Sequence, residues 1–395
     1  MHLQQIKPDI YAAVARHWDR ELFDELIPLP DGTSYNAYLV EGSNATALID
    51  TVDPAKQEEL HGMLDDYDGD IDIIVANHAE QDHSGSIPGV LDRYPDATVH
   101  CTEKCKTMLV DHLHVNGERI QVVKDDDTLS LGDKTLRFIE TPWVHWPETM
   151  STYMEEQHIL FPCDFFGSHL ATSELYVEDE ARVYEAAKRY YAEIMMPFRK
   201  PIGKNLDRLA SLDIDMIAPS HGPIYRDPAF IMDAYREWAG DAVASEVVLP
   251  YVSMHGSTRA MVDHFIDALV ERGITVKPFN LTTTDVGQLA VALVDAATLV
   301  IATPTVLGGP HPAAVYAAFL ANALRPKTRF AGIMGSYGWG GRMENKVKEL
   351  IGNLDVELLD PVIIKGHPRE SDYTSIDALA DEILKKHEQI ELKEV

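Results

Sequence analysis

Cysteine is scarce in this chain, with Cys101, Cys105 and Cys163 the only three among 395 residues. Three thiols cannot build a disulfide scaffold. The C-x3-C spacing of the first two fits neither a thioredoxin-like pair nor half of a rubredoxin-type knuckle, so reduced, buried thiols of a cytoplasmic protein are expected. Positive charge is also short: 34 Lys and Arg stand against 64 Asp and Glu, a formal net charge of −30. That balance argues against nucleic acid and anionic membrane as partners, since both recruit positive surfaces. An ordinary acidic surface accounts for it, and a salt-adapted one would look the same. Long apolar runs are missing too. The start, "MHLQQIKPDIYAAVARHWDREL", has no basic segment leading into an apolar one, so no signal peptide is expected, and no stretch reaches the length of a membrane-spanning helix. No internal repeat or low-complexity segment stands out.

What is present reads as globular. The chain is 45% hydrophobic and 25% charged, and it is long enough for two or three domains with proper cores. Its first two-thirds hold short strand-like runs. "TSYNAYLVEG" and "ATALIDTV" read as a hairpin, and "DIDIIVANH", "TLRFIETPWVHW", "HILFPCDFFG" and "DIDMIAPSHG" each end in a His or Asp. From about Glu246 strands and helices alternate five times, from "EVVLPYVSM" to "SIDALADEILKKHEQ". Met261, Phe265 and Leu269 share one helical face. This order predicts a doubly wound parallel sheet of flavodoxin type over 247–395, after a different domain over 1–246.

In "HAEQDH", His78, Glu80, Asp82 and His83 crowd four titratable groups into six positions. Burying them together is costly without a compensating charge, which points to metal. An alternating loop would aim positions 78, 80 and 82 to one side and His83 to another. His145, Asp164 and His221, each at the end of an apolar segment, complete four histidines and three carboxylates. That is enough for two metals sharing a bridging carboxylate. Alone, His145 or His221 would pass for a structural histidine and Asp164 for a cap.

This loop, H-x-[HE]-x-D-H followed by His, Asp and His, resembles the metallo-β-lactamase fold. Hydrolytic members carry histidine at the middle position and bind zinc. Here Glu80 supplies a hard anionic oxygen, which favours iron or manganese and redox chemistry.

A redox metal needs electrons, and the C-terminal segment offers a flavin site. Ser253, Met254, His255, Gly256, Ser257 and Thr258 lead from a strand into a helix N-terminus, a cradle for phosphate. Thr303, Pro304, Thr305, Leu307 and Gly308 follow the third strand. Ser336, Tyr337, Gly338, Trp339, Gly340 and Gly341 follow the fourth. Glycine permits close approach of backbone to a ring, and an aromatic can stack on it. A ligand-free receiver domain would instead show an acidic cluster after its first strand, and there is none.

Together the two halves resemble the flavodiiron proteins (A-type flavoproteins) of the two-domain class, over essentially the whole chain. The resemblance implies an αββα sandwich followed by a flavodoxin-like sheet. It implies FMN and two iron ions, one held by His78, Glu80 and His145 and the other by Asp82, His83 and His221, with Asp164 between them. In some members the equivalent of His83 is not coordinated. His169 is expected as a hydrogen-bond donor behind the ligands. The second flavin loop departs from the family pattern, with "VLGGPHP" where many members have a polar Tyr-Asn-Asn-like stretch, so contacts to the flavin ring there would come from backbone. The chain ends at Val395 with no rubredoxin or flavin-reductase extension, which implies an external donor, rubredoxin or the reduced deazaflavin F420. The implied activity is reduction of O2 to water, with reduction of NO to N2O as its alternative, in a head-to-tail homodimer or a homotetramer. Two other classes fit the sequence less well: a zinc hydrolase with a flavodoxin-like module, against which Glu80 speaks, and an electron carrier with a metal-free first domain, against which the complete ligand set speaks.

Overall fold

The computed structural model describes residues 2–393, in two compact units. One takes the chain up to Tyr190 together with Phe198–Ala239. The other takes Tyr191–Pro197 and the chain from Gly240 on. The second unit thus starts ahead of the boundary drawn at 246/247. Its first strand already runs over Ala244–Tyr251, and the amide of Ala244 donates to the carbonyl of Asp295.

Strand periodicity builds the first unit. In Thr33–Glu41, Tyr35, Ala37 and Leu39 enter one apolar cluster while Tyr38 and Val40 enter another. Successive side chains point to opposite faces, so both faces of this strand are buried. It pairs with Ile10–His17 on one side and with Thr46–Ile49 on the other, Glu41 opposite Thr46, which is the hairpin expected. The sheet continues in parallel through Ile73–Val75, Thr98–Cys101 and Ile120–Val122. Helices Gln57–Leu64, Ile87–Arg93 and Glu103–Leu113 cover one face, with Leu60, Leu64, Val90 and Leu109 packed beside Leu39 and Ile74. The other face meets a five-stranded sheet, whose Leu136, Phe138, Met154 and Phe161 share a core with Ile10, Tyr38, Ile49 and Val75. Helix Arg199–Leu209 lies against this second sheet, Arg208 donating to the carbonyl of Glu140. The layers run helix, sheet, sheet, helix: the αββα sandwich.

The second unit is a parallel sheet. Strand Ala244–Tyr251 lies between Thr275–Asn280 and Ala296–Val306, and Phe330–Tyr337 follows on the far side. In chain order the strands lie 2-1-3-4-5, the flavodoxin arrangement. The expected fifth strand, "VELLDPVIIKG", is broken in two: Glu357–Leu358 pairs with one end of Phe330–Tyr337 and Val362–Lys365 with the other. Pro361 has no N–H for the ladder, which interrupts it. No helix among the described residues is long and apolar enough to cross a membrane.

Candidate metal centre

Strand Ile73–Val75 delivers the first ligands to the sheet edge. Asn77 is clamped there, its amide N–H on Asp50 Oδ1 at 2.8 Å and its side chain on Oδ2 at 2.9 Å. Glu80 is extended, and a single helical turn, Gln81–Ser84, begins after it. The change of backbone divides the motif. His78 and Glu80 gather with His145 and Asp164, whereas Asp82 and His83 gather with His221. The sequence reading that aimed Asp82 to the side of 78 and 80 is corrected by that turn, which swings Asp82 round with His83.

The other three arrive from the second sheet. His145 lies in the loop after Thr135–Glu140, Asp164 follows Ile159–Phe161, and His221 follows Met216–Ile217. The loop at His221 admits only glycine next: Gly222 has φ +77°, and a Cβ there would stand 2.0 Å from Ser168 Oγ. All seven side chains are buried. Asp164 faces both groups. Its Oδ2 lies 3.4 Å from His78 Nε2 and 3.3 Å from His145 Nε2, and its Oδ1 lies 2.9 Å from His83 Nε2 and 3.3 Å from His221 Nε2.

Two of the rings are fixed from behind. His78 donates from Nδ1 to Glu148 Oε1 at 2.7 Å, and Glu148 also accepts the Ala79 amide at 3.1 Å. His221 donates from Nδ1 to the Ser34 carbonyl at 2.7 Å. In both, Nδ1 carries the hydrogen given to that partner, so Nε2 is the nitrogen that faces the cluster and can bind a metal once its own proton leaves. Sequence reasoning missed Glu148. The only signal was an acid two residues past "HW".

The electrostatics call for positive charge. Burial alone would lower the histidines, but the carboxylates outweigh it. Glu148, Glu80 and Asp164 raise His78 well above its ordinary value, Asp164 and Glu80 carry His145 to about 9, and Asp164 and Asp82 carry His221 to about 10. Burial would raise Asp164, yet His83, His145 and His221 hold it well below the ordinary range. Both oxygens of Asp82, both of Asp164 and Nε2 of His83 are buried without a hydrogen-bond partner among the described residues. The 2.9 Å approach of His83 to Asp164 lacks hydrogen-bond direction. Buried polar atoms left in this way fit cations, and a set of imidazole nitrogens and carboxylate oxygens suits iron.

In the second unit a cavity of about 310 Å³ is lined by Met254, His255, Ser257, Thr258, Pro304, Thr305, Ser336, Tyr337, Gly338, Trp339 and Gly366. Thr258 and Ser336 tie two of its loops together at 3.1 Å. Helix Ser257–Glu271 begins at Gly256, which has no side chain to cap it; Ser253 Oγ takes the Arg259 amide, and the two N–H groups before it face an anion site. Seven residues assigned from sequence sit on these loops outside the cavity wall: Ser253, Gly256, Thr303, Leu307, Gly308, Gly340 and Gly341. Ser253 Oγ accepts the Arg259 amide, Thr303 Oγ1 is held between the Pro304 carbonyl and the His311 amide, and Leu307 is exposed. Gly366, from the loop after the last strand, was not anticipated.

Residues 33–222 match the family model of the ODP family beta lactamase. A nitric oxide reductase of Moorella thermoacetica is 37% identical over 337 residues, 83% of this chain and 84% of the relative. Rubredoxin oxygen:oxidoreductase from Desulfovibrio gigas superposes with a TM-score of 0.94 at 28% identity, over 98% of this chain and 99% of that one. The flavodiiron protein from Giardia intestinalis does so at 0.90 and 25% identity, over 98% and 97%. Sandwich, parallel sheet and buried His/carboxylate cluster agree with these likenesses along nearly the full chain, which belongs to the flavodiiron proteins and is an oxidoreductase.

Proposed function

We propose that the chain reduces O2 to water at a di-iron centre fed by FMN. The observation that carries this is Asp164, whose two oxygens face the two histidine groups. His78, Glu80 and His145 would hold one iron, Asp82, His83 and His221 the other, with Asp164 shared. When bound, two ferrous ions and a reduced FMN supply the four electrons that O2 needs, with four protons, to become two waters. The chain's own contribution is positional. Glu148 and Ser34 fix two imidazoles, and the three carboxylates balance the cationic charge. The cavity beside Ser257 and Tyr337 is read as the FMN site, with the helix N-terminus toward the phosphate.

Reduction of two NO to N2O, which takes two electrons and two protons, is the second reading, and the Moorella relative favours it. Rubredoxin or reduced F420 is read as the electron donor, the former supported by the name of the Desulfovibrio protein. Trp143, 48% exposed beside His145, and Trp339, 92% exposed at the flavin cavity, are large apolar surfaces that support a homodimer covering them. The free, buried cysteines support a reducing, cytoplasmic setting.

Metal and flavin analysis of the purified protein tests the reading. Two irons and one FMN per chain are expected, and zinc or no metal would sink it. Anaerobically reduced protein mixed separately with O2 and with NO ranks the two substrates. Light scattering reports the dimer.

A further inference from the structure

His169, in "FFGSH", is 7% exposed, and its Nε2 is fully buried with no hydrogen-bond partner among the described residues. Its other nitrogen, Nδ1, lies 3.0 Å from Thr33 Oγ1. The direction of that hydrogen bond follows from the neighbouring ring. His221 Nδ1 is 2.7 Å from the Ser34 carbonyl, which can only accept, so His221 carries a hydrogen there. Thr33 Oγ1, 3.5 Å from the same nitrogen, therefore turns a lone pair toward it. The hydroxyl proton of Thr33 is left with two acceptors, His169 Nδ1 at 3.0 Å and the Ser34 carbonyl at 3.4 Å. The shorter contact is the better bond. His169 thus accepts at Nδ1 and bears its hydrogen on Nε2. A charged ring would bear a hydrogen on both nitrogens and could not accept from Thr33, so the assignment is that of the neutral ring.

A buried N–H without an acceptor is costly and rare. The ring that bears it stands against the metal cluster. The His169 ring packs edge-on against His221 and Tyr190, with centroids 4.9 and 4.8 Å away, and Phe23 lies 5.0 Å from it. Because the two nitrogens of an imidazole diverge, a ring with Nδ1 on the Thr33 strand end directs Nε2 away from that strand.

We propose that His169 Nε2 donates a hydrogen bond to an oxygen or nitrogen atom of the small molecule held on the Asp82, His83 and His221 side of the centre, and that Thr33 selects the tautomer that makes this donor. The inference rests on the two-metal reading above. His169 would be a catalytic residue and Thr33 a positioning one.

Two measurements test it. In the full chain labelled with 15N-histidine, before iron loading, the signal lost in His169→Gln is expected to report the Nε2–H tautomer, and Thr33→Val is expected to shift it toward Nδ1–H. An Nδ1–H tautomer in the unaltered chain overturns the proposal. In the iron-loaded protein, azide binding followed by visible absorption is expected to weaken about tenfold in His169→Phe. His169→Gln, whose amide N–H reaches about as far, should recover most of it. Equal azide affinity in all three proteins also overturns the proposal. Failure to take up iron would instead overturn the two-metal reading, and the tautomer measurement would still decide this one.

Discussion

Glu148 Oε1 lies 2.7 Å from His78 Nδ1, with neither side chain exposed to solvent. The carboxylate fixes which nitrogen of His78 faces the cluster and adds to its basicity. Glu148→Gln keeps the shape but weakens both effects. Iron affinity is expected to fall about 10- to 100-fold, read by titrating the metal-free chain anaerobically with Fe(II), and a variant that binds as tightly as the parent would refute the role.

The ligand chemistry turns on Glu80, whose Oε2 lies 3.0 Å from His145 Nε2 and 3.2 Å from His78 Nε2. Glu80→His removes an anionic oxygen and gives the first site three imidazoles, the set that zinc prefers. Iron content should fall, zinc should appear, and reductase activity should drop by a factor of about ten or more. Unchanged iron and unchanged turnover would count against the argument.

Metal uptake should release protons. His145 at about 9 and His221 at about 10 are protonated at neutral pH, and a metal must displace those protons. Raising the pH toward these values weakens the competitor, so apparent metal affinity should rise with pH through the neutral range and level off above them. Calorimetric titrations in buffers of different ionisation enthalpy count the protons released. A pH-independent affinity would contradict the arrangement.

Gly222→Ala should destabilise the first unit. The positive φ and the 2.0 Å approach to Ser168 Oγ both oppose a side chain, and strain of this kind costs about 1–3 kcal/mol. Adding Ser168→Ala should restore only part of the loss, because the backbone conformation is unchanged. Urea midpoints of the three proteins check this.

His387 sits in the second unit between Ser245 Oγ at 3.0 Å and Thr298 Oγ1 at 2.8 Å, and burial lowers it from 6.5 to about 4. Between those values the unfolded chain binds a proton that the folded chain refuses. This contribution is fully present above pH 6.5 and is lost as pH falls toward 4. The urea midpoint of the second unit should decline over that window, and His387→Gln should flatten the decline.

The metal loop was legible because four of its groups fall within six residues, where no ordinary core would place them. His145, Asp164 and His221 were legible as polar ends of apolar runs. Glu148 was not, because its partner lies 70 residues away and only the folded chain brings them together. The break between Leu358 and Val362 had a visible cause in Pro361. The transfer of Tyr191–Pro197 to the second unit did not: a π-helical turn follows helix Glu180–Tyr190 there with no Gly or Pro to mark it. Among the loops read as flavin-binding, residue type picked segments that line a cavity but not which side chains turn toward it. Ser253 and Thr303 spend their hydroxyls on backbone instead.

Strand Thr33–Glu41 belongs to the first sheet, yet it holds the loop that carries His221 from the second. The amide of Asn36 donates to the Ser220 carbonyl, its side chain to the carbonyls of Pro219 and Gly222, and Ser34 Oγ accepts the Gly222 amide. The ligands are therefore stitched in place by backbone that is itself buried in both cores. On the two-metal reading, uptake at this loop is expected to be a capture event and not a folding event.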